Sequence, residues 1–275
     1  MSGEAANRRI QLAPREVLFE CGDLGAAEAT VCVTLHDYGS FIVDALESVY
    51  AQTLRATALV VLDDRSRDEG PERVERWMKR FGGRLAGACL ARHVANSGLA
   101  RARNGAVDLA RSDSVMILDA DNQLHPRCLE RLLQSLRGSD YGFAYPIIER
   151  FGDHQALMGT SSWDVEMLRD ENYIDAMALI RKSTWQRVGG YERMNVGGWE
   201  DFDFWCKCVE AGLRGLLVPE ILARYRVHGT SMLARETNRT VNADRVRAEM
   251  RARHPWLRLG ASTDDASLAD PPVVP

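Results

Sequence analysis

Five short clusters hold the residues whose types and spacing could do chemistry. Asp119-Ala120-Asp121-Asn122 places two carboxylates at i and i+2. If the chain bends between them, both converge on one hard cation, and oxygen ligands select Mg²⁺ or Mn²⁺ over zinc. Gly198-Trp199-Glu200-Asp201-Phe202-Asp203-Phe204-Trp205 sets acids among aromatics. A carboxylate beside an apolar wall has a raised pKa and suits a general base. The same string also reads as the acidic N-terminus of an apolar helix. Asp63-Asp64-Arg65-Ser66 offers acids at a strand end, where Asp and Ser equally serve as caps and turn formers. The stretch Asn96-Ser97-Gly98-Leu99-Ala100-Arg101-Ala102-Arg103-Asn104 joins small residues at a helix entrance to Arg103, which can meet an anion. An amphipathic helix with solvated arginines fits it as well. His228, in Tyr225-Arg226-Val227-His228-Gly229, is of a type that ligates metal or touches phosphate, and a lone histidine commonly does neither.

Regular elements must carry these clusters. The apolar run over 29–35 (ATVCVTL) predicts a buried strand ending at His36-Asp37-Tyr38-Gly39. Phe41, Ala45, Leu46, Val49 and Tyr50, spaced three and four apart, predict a helix over 41–52. Further strands are predicted over 58–62, 86–91 and 114–118, with an edge strand around 16–20. Helices are predicted over 71–81, opened by Pro71 and closed by Gly82-Gly83, and over 98–111. Such alternation gives βαβ units and an α/β fold with a mostly parallel central sheet flanked by helices. Ligands bind beyond the carboxyl ends of strands in such sheets, where the acids fall.

Composition narrows the partners. The 275 residues carry 35 Lys+Arg against 39 Asp+Glu, a net charge of −4, which argues against duplex nucleic acid as the main partner. No run approaches the ~20 apolar residues of a spanning helix. The N-terminus lacks an apolar signal region. A cytoplasmic protein with no transmembrane segment is therefore expected, with peripheral contact at the inner membrane face and a homodimer left open. The six cysteines lack C-x-x-C spacing and are expected to be buried small hydrophobes. Between Arg224 and Arg258, Arg224, Arg226, Arg235, Arg239, Arg245, Arg247, Arg251, Arg253 and Arg258 outnumber Glu236, Asp244 and Glu249, nine to three. That excess suits an anionic acceptor or membrane surface, and equally a solvated helix face.

In order, VTLHDYGSFIVDALESVYAQT, VVLDDRS, NSGLARARN, ILDADN, IRKSTWQRVGGY and GWEDFDFW resemble the inverting glycosyltransferases of family 2, over roughly residues 30–231. The resemblance implies a single GT-A (nucleotide-diphospho-sugar transferase) domain at 29–235. Around it lie an N-terminal extension at 1–28, an Arg-rich helical segment at 236–260 and a disordered tail at 261–275. It further implies that Thr34, His36 and Asp37 hold the ribose and base of a nucleotide-sugar donor. Asp64 would take the uracil imino group, favouring a UDP-sugar, and Arg103 would lie near the pyrophosphate. Asp119, with Ala120, would sit closer to the ribose, while Asp121 and Asp119 would bind Mn²⁺ or Mg²⁺, with His228 as a further metal or phosphate contact. Asp201 resembles the catalytic base, with Glu200 beside it, and Glu200, Trp199 and Gly198 shape the acceptor side. The acceptor is some hydroxyl of a glycan, lipid-linked, natural-product or protein substrate. Without a Q-x-x-R-W signature, single transfer is expected over chain synthesis. The alternative is a transferase-like module that binds a nucleotide or partner with weak turnover. An aspartyl-nucleophile phosphatase fits less well, since it wants Thr or Val where this chain has Gln123. A dinucleotide oxidoreductase lacks its G-x-G-x-x-G.

Overall fold

Uninterrupted aliphatic and β-branched runs build the middle of the chain. In the computed structural model, which describes residues 9–229 and 240–260, β1 (Arg15–Gly22) is followed by β2 (Ala29–Leu35), α1 (Ile42–Tyr50), β3 (Thr57–Asp63) and α2 (Gly70–Phe81). Then come β4 (Gly87–His93), α3 (Leu99–Leu109), β5 (Ser114–Asp119), β6 (Gln123–Leu124) and α4 (Cys128–Leu136). The second half holds β7 (Phe143–Gly152), β8 (Ala156–Met158), α5 (Val165–Asp170), β9 (Leu179–Arg181) and α6 (Lys182–Val188). It ends with α7 (Glu200–Glu210), β10 (Gly215–Val227) and α8 (Thr240–Arg253). Strands and helices expected over 29–118 appear within two residues of their predicted ends. The expected edge strand is β1, antiparallel to β4 at the sheet margin.

The sheet runs β1-β4-β3-β2-β5-β9-β7-β10-β6, with β8 added to β7. Parallel pairing joins β4, β3, β2 and β5, and separately β7 and β10. Antiparallel pairing supplies β1, β6, β8 and β9. The sheet is thus more mixed than its first half suggests. β9 is only three residues long, yet it bridges the two parallel blocks. Helices α1, α2 and α4 cover one face and α3, α6, α7 and α8 the other, so β2 and β3 are buried along their whole length. Removing apolar surface on both faces is the main stabilising term for such a sheet.

Five cysteines are buried and Cys21 half-buried, all with free thiols. No helix among the described residues is long and apolar enough to cross a membrane. Several arginines of the late basic excess are tied to carboxylates inside the molecule. Arg224 meets Glu149 (3.1 Å), Arg226 meets Asp44 (2.7 Å), Arg253 meets Glu249 (2.7 Å) and Arg258 meets Asp170 (2.9 Å). Arg235, Arg239, Glu236 and the 261–275 tail lie outside the described residues.

Candidate functional site

The carboxyl ends of β2, β3 and β5 deliver Thr34, Asp63-Asp64 and Asp119 to one rim. Asp119 is held on both oxygens: Thr34 Oγ1 donates to Oδ1 at 2.7 Å and Arg103 Nη2 to Oδ2 at 3.0 Å. The β2–β5 pairing continues to the next residue, where Ala120 N–H donates to Thr34 O at 3.2 Å. Arg103 reaches Asp119 from α3, whose entrance is Gly98 at φ +87°, a conformation that glycine adopts without a Cβ clash. Burial works against the Arg103 charge, yet Asp119, Tyr191, Asp201 and Glu200 hold its pKa above the ordinary value. This guanidinium is bonded to Asp119, and its charge also acts on Asp201 and Glu200.

Asp121 meets His228, with Oδ2 3.0 Å from Nε2. The ring of His228 is wedged against Tyr38 and Phe41, at centroid distances of 5.7 and 4.9 Å. Burial and then the charge of Asp119 push the Asp121 carboxyl up. A divalent cation would remove that penalty, and a carboxylate with an imidazole nitrogen is a donor set such an ion accepts. Among the described residues no three His, Cys, Asp or Glu side chains group around one metal position. Asp121 and His228 would therefore anchor the ion and leave its other positions to ligand oxygens and water.

Asp64 is buried under three donors: the Ser97 N–H (2.7 Å) and His93 Nδ1 (2.7 Å) on Oδ1, and the Gly98 N–H (2.8 Å) on Oδ2. Burial raises its pKa, but these hydrogen bonds outweigh it and hold the carboxyl below its usual range. Its first task is thus to fix the 96–98 turn that opens α3. A carboxylate has about four lone-pair sites, so these three donors fill most of its capacity. Asp37, at φ +55°, accepts from Arg67 N–H at 2.6 Å, and His36 lies 3.2 Å from Asn96 Nδ2. His36 and Asn96, with Arg65, Ser66, Arg67 and Arg92, line a cavity of about 790 Å³. Its volume lies within the range of small-molecule sites.

At the opposite side, α7 starts from Gly198 (φ +106°) and Trp199 (φ +66°), a left-handed pair that swings Glu200 inward. Glu200 Oε2 accepts from Gly198 N–H at 3.1 Å, and burial pushes its pKa up to about 7. Asp201 Oδ1 accepts from Phe202 N–H (2.8 Å) and Asn172 Nδ2 (3.3 Å). Burial lifts its pKa while Arg103 opposes the rise. The same helix is anchored by its aromatics: Trp205 stacks on Phe143 at 4.3 Å and donates to Ile174 O at 2.9 Å. That last bond fixes the 172–175 loop against the site.

The loop brings two residues that no motif announced. Asn172 orients Asp201, and Asp175, whose Oδ1 accepts from Met177 N–H at 2.8 Å, has its carboxyl pushed up to about 7 by burial and then by Asp201. Asn104, quoted only as the end of a string, is a buried clamp. Its Oδ1 accepts from Trp185 Nε1 (3.0 Å) and Tyr191 N–H (2.8 Å), and its Nδ2 donates to Gln11 O and Tyr191 O.

Behind α7 lies a buried ionic network. Asp203 meets Lys207 Nζ at 2.7 Å and His254 Nε2 at 3.1 Å, while His254 Nδ1 meets Glu210 at 2.6 Å. Burial would raise the Asp203 pKa, but His254 and Lys207 bring it down to about 2. Burial would lower His254, but Asp203 and Glu210 raise it. The sign follows from the shifts. The Asp203 contribution is lost as pH falls through about 2, and the His254 contribution is present below its unfolded pKa and lost as pH rises through the elevated folded value. The stability lost in His254→Ala, read as the difference in Tm from wild type, should therefore be larger at pH 5.5 than at pH 9. A difference that grows toward pH 9 would oppose this assignment.

Comparison with known proteins bears on the arrangement. The sequence profile of Glycosyl transferase family 2 matches residues 30–209. Among curated proteins, y4gI of Sinorhizobium fredii is 27% identical over 181 residues, covering 62% of this chain but only 19% of that protein. Among solved structures, TarS 1–349 of S. aureus in complex with UDP-GlcNAc superposes with a TM-score of 0.68 at 14% identity, over 82% of this chain and 66% of that one. The mannosyltransferase PcManGT of Pyrobaculum calidifontis, in complex with GDP-Man and Mn²⁺, gives a TM-score of 0.63 at 21% identity, over 83% of this chain and 66% of that one.

Proposed function

Because the chain belongs to glycosyltransferase family 2 and has the GT-A fold, we propose that it moves a sugar from a nucleoside-diphosphate sugar, a UDP-sugar in the first instance, to an acceptor hydroxyl with inversion. The observation that carries the reading is the buried Arg103, which is hydrogen-bonded to Asp119 and whose charge is also felt by Asp201 and Glu200.

Asp201 removes the acceptor proton. Its Oδ1 is held by Phe202 N–H and Asn172, which leaves Oδ2 for the acceptor hydroxyl. Its raised pKa makes it a stronger base than a solvated aspartate. The acceptor oxygen then attacks the anomeric carbon opposite the nucleotide, in one displacement. Thr34 and Arg103 fix Asp119 for the ribose side of the donor, and Arg103 carries positive charge toward the diphosphate. Mn²⁺ or Mg²⁺ held by Asp121 and His228 would supply charge screening for the departing diphosphate. PcManGT, a relative in fold, is described with GDP-Man and Mn²⁺, which supports the metal part of the reading.

A thermal-shift panel of UDP- and GDP-sugars, each with and without Mn²⁺, tests it. A donor at about 100-fold over its Kd stabilises by roughly 2.7 kcal/mol, a shift of several degrees. The expected result is a shift for one nucleotide class that depends on the metal. No shift with any donor would refute the donor site.

A further inference from the structure

One cation beside the acceptor side is used by nothing described so far. Arg247, on α8, lies over the indole of Trp199 with its guanidinium carbon 5.9 Å from the ring centroid. Its Nη1 is buried and has no hydrogen-bond partner among the described residues. Two other arginines of this helix are engaged, Arg251 donating to Leu259 O and Arg253 to Glu249 and Arg193 O, while Arg245 is exposed. A buried guanidinium donor without a partner costs stability unless a ligand satisfies it.

Arg247 does not hang loose. Two neighbours on α8 fasten the helix to the segment leading into α7. Glu249 accepts from Asn195 N–H at 3.0 Å and Arg253 donates to Arg193 O at 2.8 Å. The Arg247 guanidinium is thereby kept beside the ring of Trp199, which immediately precedes Glu200 and Asp201. A guanidinium set against an aromatic ring retains donors for a bidentate partner. The surroundings are acidic, so an anionic substrate entering here needs a local cation. α8 also lies beyond the residues that match the family profile, so the family match assigns it no role.

Resting on the glycosyl-transfer reading of Asp201, we infer that Arg247 binds an anionic group, a phosphate or a carboxylate, carried by the acceptor. The acceptor is then a hydroxyl compound with an acid within reach of the reacting oxygen.

Matched probes test this in two ways, with the nucleotide site filled by Mn²⁺ and the nucleoside diphosphate that stabilises most. Saturation-transfer NMR compares glycerol with glycerol 3-phosphate, and glucose with glucose 6-phosphate and glucuronic acid; it needs no turnover. Nucleotide release from the donor is then compared for the same pairs. The anionic member should bind and react better by at least about tenfold, the worth of charge-assisted hydrogen bonds. Arg247→Ala should bring the ratio close to one, Arg247→Lys should keep part of it, and Arg245→Ala, an exposed neighbour, should keep all of it. Circular dichroism confirms that each variant is folded. A wild-type ratio near one for every pair, or a ratio that Arg247→Ala leaves intact, overturns the inference. Binding preference without any nucleotide release instead refutes the transferase reading while sustaining the anion site.

Discussion

Asp201→Asn is expected to lower kcat for sugar transfer by about 10²–10⁴ while the donor Kd stays close to wild type. The asparagine keeps the shape and still accepts through its oxygen the bonds from Phe202 N–H and Asn172 that fix Asp201 Oδ1. It cannot take up a proton, so only the step that needs a base is lost. Single-turnover rates and donor titrations on the same protein separate the two effects. A parallel loss of donor affinity would place Asp201 in donor binding instead. A near-normal rate would move the base elsewhere, and Glu200 and Asp175, each lifted to about 7, are the carboxylates in range.

The second large effect is on stability. Arg103→Met preserves much of the side-chain volume but removes the charge that Asp119, Asp201 and Glu200 share. Arg103 is 4% exposed, so water cannot replace it. Breaking one side of a buried ion pair typically costs about 3–5 kcal/mol, here a fall in Tm of roughly 10 °C. The stranded carboxylates would titrate upward, so the loss should be greater at pH 8 than at pH 5, where they can protonate. Arg103→Lys restores charge without the fork that reaches Asp119 and should recover part of the loss. Thermal denaturation of the three proteins at both pH values measures this. An unchanged Tm in Arg103→Met would show that the carboxylates do not depend on it.

The first half of the fold and the acidic rim at its strand ends were legible because their causes are local. Runs such as ALVVL, short, rich in β-branched residues and bounded by turn formers, read as buried strands, and the acids that stop them fall at the carboxyl ends. Pairing across long separations was not legible. β9 is three residues whose role is to join β5 to β7, and nothing in Leu179-Ile180-Arg181 marks it. Asp175 and Asn172 sit in an irregular loop and reach the site only because Trp205 of α7 holds Ile174. His254 and Arg247 depend on α8 returning across α7, a contact that no periodicity encodes. Asp64 shows a different shortfall: its position was readable, but the three donors that occupy it come from residues 93–98 and appear only once β3 and β4 pair.

The most direct test of inversion by an aspartate base is the configuration of the sugar first released when water replaces the acceptor. Proton NMR can follow hydrolysis of an α-linked donor sugar with the metal present, sampled before the free sugar mutarotates. The β anomer should appear first, at a rate that Asp201→Asn reduces by about 10²–10⁴. Appearance of the α anomer first, or an undiminished rate in the variant, would contradict single displacement from Asp201.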